Sequence, residues 1–126
     1  MSEKLIFFVD DDKMIINLLE YTIKPKVIHT VKTFSSGEEC LANLELNPDL
    51  IILDHILSTT DKNALTGMDT LKEIIKRKPS IPIIMLSGQE DKSLISKFIQ
   101  NGAKKYIQKN EFFIDSLLEE IQKEMA

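Results

Sequence analysis

Cysteine, proline and glycine are all scarce in this sequence. Its 126 residues include one cysteine, Cys40, so no internal disulfide can form. Four glycines and four prolines are too few for a long disordered or collagen-like segment. Basic residues are scattered and the net charge is −4, against the basic stripe that a dedicated nucleic-acid surface requires. No apolar run approaches the length that spans a bilayer. Met1-Ser2-Glu3-Lys4 passes straight into a strand pattern, without signal-peptide organisation. These absences lead us to expect a cytoplasmic protein with no membrane and no direct nucleic-acid partner. The composition is 43% hydrophobic, enough for a real core, and the length suits one domain, residues 1–126.

Short apolar runs alternate with longer amphipathic stretches. The runs predict strands over Leu5–Val9, Val27–Val31, Leu50–Leu53, Ile81–Leu86 and Lys105–Ile107. The first, third and fourth are nearly continuously apolar, as when both sheet faces are covered by helices. Polar residues interrupt the other two, which suits the sheet edges. Helical stripes fill the gaps. Ile15, Leu18, Leu19, Thr22 and Ile23 share one face from Lys13 to Ile23. Ser36 is a candidate N-cap, with Glu39 three residues on, before Cys40, Leu41 and Leu44. Met68, Leu71, Ile74 and Ile75 mark a third helix, stopped by Lys78-Pro79. Leu94, Ile95, Phe98 and Ile99 mark a fourth, ended by Asn101-Gly102. Ile114, Leu117, Leu118, Ile121 and Met125 form the inner face of a fifth. Strand–helix alternation of this kind predicts an α/β fold with a parallel sheet.

In such a sheet, ligands bind beyond the carboxyl ends of the strands. The first strand delivers Asp10, Asp11 and Asp12 there, and the third delivers Asp54. Neighbouring carboxylates repel, and a fold that gathers them usually has a cation to neutralise them. The fourth strand ends in Ser87 and the fifth in Lys109. Acids that bind a metal, a carboxylate that takes a phosphoryl group, and a hydroxyl and ammonium that hold its oxygens form a magnesium-assisted phosphoryl-transfer set. Plainer roles suit several neighbours. Asp12 is expected to cap a helix rather than ligate, His55 to sit on the opposite face, His29 to be structural and Cys40 to be a core thiol. Phe112-Phe113 opens the last helix, packing or meeting a partner. Lys76-Arg77-Lys78 complements a helix dipole.

Four blocks now stand in order: Val9-Asp10-Asp11, Pro48–Asp54, Pro82–Gly88 and Gly102–Lys109. Together they resemble the receiver domain of two-component response regulators, over essentially the whole chain. The resemblance implies a flavodoxin-like (βα)5 three-layer sandwich with a parallel sheet of order 2-1-3-4-5. It implies Asp54 as the phosphoacceptor. Mg2+ would be held by Asp10, Asp11, Asp54 and the backbone carbonyl of Ile56, with Asp10 acting mostly through metal-bound water. Ser87 and Lys109 would hold the phosphoryl group. Tyr106 would be the switch residue, its ring turning inward as Ser87 is drawn to the phosphate. The implied partners are a histidine kinase or histidine phosphotransfer protein and an unidentified downstream protein. A dimer formed on phosphorylation is left open. With nothing beyond the last helix, the expectation is a stand-alone receiver that is not an enzyme toward other molecules.

The chain departs from the family pattern at three places. Ser58 replaces a proline four residues after Asp54, and the glycine that should follow soon is Gly67, several residues late. The polar segment from His55 to Thr66 is therefore long; it is read either as a partner-specific or gating element or as a tolerated solvent loop. Asn110 follows Lys109 where the family has proline, leaving a cis or a trans bond open. Ile56, two residues after Asp54, borders the expected path of hydrolytic water, where a bulky apolar side chain favours a long-lived phosphoryl group, while Gln89, two after Ser87, would orient that water. Two rivals remain: a pseudo-receiver that never gains phosphate, and a small phosphohydrolase. The retained acids, Ser87 and Lys109 oppose the first. The lack of a second carboxylate soon after Asp54 opposes the other.

Overall fold

The computed structural model describes residues 4–27, 29–55, 65–88 and 91–125. Five strands, β1 (Leu5–Val9), β2 (Thr30–Phe34), β3 (Leu50–Asp54), β4 (Ile83–Ser87) and β5 (Lys105–Gln108), form one parallel sheet in the order 2-1-3-4-5. The helices are α1 (Lys13–Thr22), α2 (Gly37–Ala42), α3 (Gly67–Arg77), α4 (Lys92–Gln100) and α5 (Phe113–Met125).

Strand alternation divides the core in two. Ile6, Phe8, Leu50, Ile52, Ile84 and Leu86 meet Leu19 and Ile23 at α1 and Leu117 and Ile121 of α5. Phe7, Val9, Ile51, Leu53, Ile83 and Met85 meet Cys40, Leu71, Ile74 and Phe98 from α2, α3 and α4. The sheet is thus the middle of three layers, which is why β1, β3 and β4 read as unbroken apolar runs. Edge strand β2 buries only Val31 fully, and edge strand β5 has an exposed Lys105 beside buried Ile107.

β3 and β5 each run one residue beyond expectation, and two strands differ by more. The expected Val27–Val31 strand is displaced to Thr30–Phe34. A single 3-10 turn over Lys24–Lys26, carrying Pro25, follows α1, and pairing with β1 starts only at Thr30 opposite Leu5. Val27 packs on the core as extended chain without joining the ladder. The expected Ile81–Leu86 strand becomes Ile83–Ser87, because Pro82 has no N–H to donate and contributes only its carbonyl, accepting from Ile51 N at 3.1 Å.

The helix ends follow side-chain chemistry. Asp12 caps α1, accepting from Met14 N at 2.9 Å. Ser36 caps α2 at Glu39 N, but the Glu39 carboxylate turns to Ser35 instead of closing a reciprocal box. A complete capping box does form at α3, between Thr66 and Asp69. The Lys109–Asn110 bond is trans.

Candidate functional site

The carboxyl ends of β1 and β3 lie side by side, since Val9 pairs with Leu53. Asp10 and Asp54 therefore emerge as neighbours. Asp10 continues the ladder, donating its N–H to Phe34 O at 3.0 Å. Its Oδ1 accepts from Asp12 N at 2.9 Å, which fixes the turn into α1. Asp10 is 2% exposed and Asp54 4%, deep burial for two acids. Asp11 joins them half-buried, and one carboxylate oxygen from each of Asp10, Asp11 and Asp54 lies within 4.8 Å of the others.

Lys109 closes the group from across the sheet. β5 hands its backbone to the site through Lys109 N, which donates to Ser87 O at 2.8 Å. Its Nζ then donates to Asp54 Oδ1 at 2.7 Å and Asp10 Oδ2 at 2.9 Å. One ammonium thus bridges two acids that sit 44 positions apart in the chain. Three carboxylates therefore gather around one ammonium.

Burial pushes the Asp54 carboxyl up from 3.8 to about 6. The Lys109 hydrogen bond and charge oppose that rise, while the Asp10 and Asp11 charges add to it. Burial also acts to lower Lys109, but its bonds and charge pairing with Asp54 and Asp10 prevail and hold it above the usual lysine range. A cluster of three carboxylate oxygens suits a small hard cation, and a divalent ion would relieve what burial costs Asp54.

Ser87, 1% exposed, ends β4, and its strand neighbour Leu86 pairs with Asp54. Tyr106 pairs with Met85 and lies half-buried on the α4 side of the sheet. Its ring stacks on Phe98, with centroids 6.3 Å apart at 24°. The structure thus brings Asp10, Asp11, Asp54 and Lys109 into one cluster, puts Ser87 on the adjoining strand end, and sets Tyr106 one layer away. Ile56, Ser58, Gln89 and the segment 56–64 lie outside the described residues.

The sequence reading set His55 on the opposite face and singled out Gly67, but two contacts escaped it. His55 packs edge-on to Phe98, at 5.1 Å and 65°, and burial pushes its imidazole below the ordinary histidine value. Gly67 presses on the end of β3: a Cβ there would lie 2.3 Å from Asp54 O and 2.5 Å from His55 O. Thr66 followed by Asp69 could have marked that helix start, being the same hydroxyl–x–x–acid pattern used to place Ser36. No local signal could have paired His55 with Phe98, because their contact depends on the strand-to-helix packing.

Comparison with known proteins agrees with this architecture. The family model of the response regulator receiver domain matches residues 6–122. The probable C4-dicarboxylate response regulator DctR of Bacillus subtilis is 34% identical over 86% of this chain and 46% of its own length. The chemotaxis protein CheY of Listeria monocytogenes is 27% identical over 94% of this chain and 95% of its own. Among solved structures, a CheY-like receiver domain protein from Methanospirillum hungatei superposes with a TM-score of 0.80 at 26% identity, covering 98% of this chain and 94% of the other. The BeF3-activated receiver domain of DrrB gives 0.82 at 26% identity, covering 98% of both. The chain spans about half the length of several of the curated relatives it matches, DctR and the Bacillus subtilis regulator PhoP among them. No helix among the described residues is long and apolar enough to cross a membrane. The chain belongs to the family of response regulator receiver domains.

Proposed function

We propose that this single domain accepts a phosphoryl group on Asp54 from a phosphohistidine donor, a histidine kinase or histidine phosphotransfer protein, in the cytoplasm. The observation that carries this reading is the Lys109 ammonium bridging Asp54 and Asp10 inside a buried cluster of three acids. An Asp54 oxygen attacks phosphorus, the P–N bond to the donor imidazole breaks, and its electron pair remains on the imidazole nitrogen. The product is a mixed anhydride with added negative charge and new acceptor oxygens. Lys109, already at hydrogen-bond distance from Asp54, pairs with the charge that develops on the transferred group, so catalysis is mainly positioning and electrostatics. Ser87 donates its hydroxyl to a phosphoryl oxygen, and that movement lets Tyr106 turn inward.

Asp10, Asp11 and Asp54 would hold Mg2+, with the Ile56 carbonyl as a further ligand; when bound, the ion neutralises phosphoryl oxygens. The three close carboxylate oxygens, an all-oxygen ligand set, fit such an ion.

The donor's approach is supported by α1, which starts beside the acids. Met14, Leu18 and Tyr21 recur at helical spacing on its outer face and are 80%, 39% and 86% exposed. An apolar stripe leading to the site suits the apolar face of a donor helix. Leu18→Arg should slow transfer from a phosphohistidine protein and leave phosphorylation by acetyl phosphate unchanged; equal slowing of both would remove the docking role.

Incubation with Mg2+ and acetyl phosphate, followed by intact mass, tests the central reading. The parent should gain one phosphoryl group and Asp54→Asn none. A parent that stays unmodified even with a cognate kinase would favour the pseudo-receiver. Sustained phosphate release from an external phosphomonoester would favour the hydrolase.

A further inference from the structure

Among the described residues, His55 Nδ1 is a buried polar atom with no hydrogen-bond partner. Buried polar atoms are nearly always paired, and the exceptions call for an explanation. The other such atom, Glu120 Oε2, belongs to a carboxylate whose second oxygen already meets Lys105 at 3.2 Å. The His55 atom stands beside the site, one residue after the proposed phosphoacceptor.

Its surroundings name a partner. The His55 ring meets Phe98 edge-on at 5.1 Å, and Phe98, fully buried, stacks with Tyr106 at 6.3 Å. One α4 side chain therefore separates the imidazole from the phenol. Strand register points the same way. Leu53 pairs with Met85, and Met85 with Tyr106, so all three occupy one level on the α4 side. His55 lies two residues beyond Leu53, and Ser87 two beyond Met85, which puts both at the next level, toward the site. Ser87, toward which the phenol turns in the proposed switch, is therefore a neighbour of His55, whose N–H donates to Leu86 O at 2.8 Å.

We propose that His55 Nδ1 is the hydrogen-bond partner of the Tyr106 hydroxyl in the phosphorylated conformation, which makes His55 a positioning residue for the switch. The inference rests on the phosphoacceptor reading given above. A phenol hydroxyl both donates and accepts, so it satisfies Nδ1 whether that atom carries its hydrogen or its lone pair. The unphosphorylated fold leaves the atom unpaired, and the switched fold pairs it. That difference between states biases the equilibrium toward the switched one, because only differential interaction shifts a population.

The test uses the whole chain with beryllofluoride and Mg2+ as the phosphoryl mimic. His55→Phe keeps a ring against Phe98 and removes the nitrogen. It should weaken beryllofluoride binding about fivefold in the parent background and leave Tyr106→Phe unaffected, as one neutral hydrogen bond would. His55→Asn, which restores a polar atom near the Nδ1 position, should recover part of the loss. Independently of any His55 variant, the Nδ1 resonance in 15N spectra should move on beryllofluoride binding in the parent and hold still in Tyr106→Phe. Equal weakening in both backgrounds, or an unmoved Nδ1 resonance in the parent, would overturn the proposal while leaving the phosphoacceptor reading intact. A parent that binds no beryllofluoride would overturn both.

Discussion

Replacing Asp54 by Asn should make the metal-free protein more stable at neutral pH, and the gain should vanish in acid. Asp54 is 4% exposed and its folded pKa stands near 6 against 3.8 for the free group. A carboxyl whose folded pKa is raised binds its proton more tightly when folded. The stability it contributes is full below about pH 4 and is lost as pH climbs through about 6. The rise of about 2 units corresponds to about 3 kcal/mol. Asp54→Asn deletes the buried charge and keeps the shape. In EDTA the variant should match the parent near pH 4 and exceed it by about 2–3 kcal/mol at pH 8. Urea denaturation at five or six pH values measures the difference, since shared groups cancel. Mg2+ should then raise the parent's stability by mass action, and the variant's by less. A gap that does not change with pH would show that the Lys109 pairing cancels the cost of burial, and a variant that loses ground as pH rises would show that the pairing outweighs it.

Lys109→Met should lose about 1–3 kcal/mol in urea denaturation, less than a fully buried pair, because the lysine is 19% exposed and Asp54 can protonate. The same variant should take phosphate from acetyl phosphate far more slowly, read by intact mass. Gly67→Ala forces a Cβ onto backbone atoms of Asp54 and His55; stability should drop by about 1–3 kcal/mol, and amide resonances at the end of β3 should shift. Cys40 is fully buried and burial pushes its thiol up to about 12, so a thiol reagent at pH 8 should label it only on unfolding. Labelling at the rate of a free thiol would contradict the packing of α2.

Periodicity and strand ends disclosed most of the layered plan. β1, β3 and β4 are covered on both faces, so their apolar runs are long and unambiguous. β2 is harder because an edge strand need bury only alternate residues. The β-branched Val27 imitates a strand residue, yet the 3-10 turn over Lys24–Lys26 delays pairing until Thr30. The acids were legible because each closes a buried run; Lys109 was legible because its strand ends at the same edge. What could not be read was depth. Nothing local says that Asp10 shares an oxygen with Lys109, or that His55 turns toward Phe98. Those depend on which helix lies over which strand, a matter of distant residues. Asn110 illustrates the reverse: its unusual residue type invited a question about the backbone, and the chain simply continues with a trans bond.

Gly67 N donates to His55 O at 3.1 Å, and Leu65 N is held by Glu38 Oε2 at 3.0 Å. The first bond ties the polypeptide leaving β3 to that entering α3, and the second ties the latter to α2. Whatever is spliced between them changes the ring it closes but not the anchors, and ring closure grows only slowly costlier with length. The residues between them, read in the sequence as longer than the family pattern, can therefore vary in number at little cost to the anchors. For the same reason this junction is the natural place to graft a reporter or a recognition peptide.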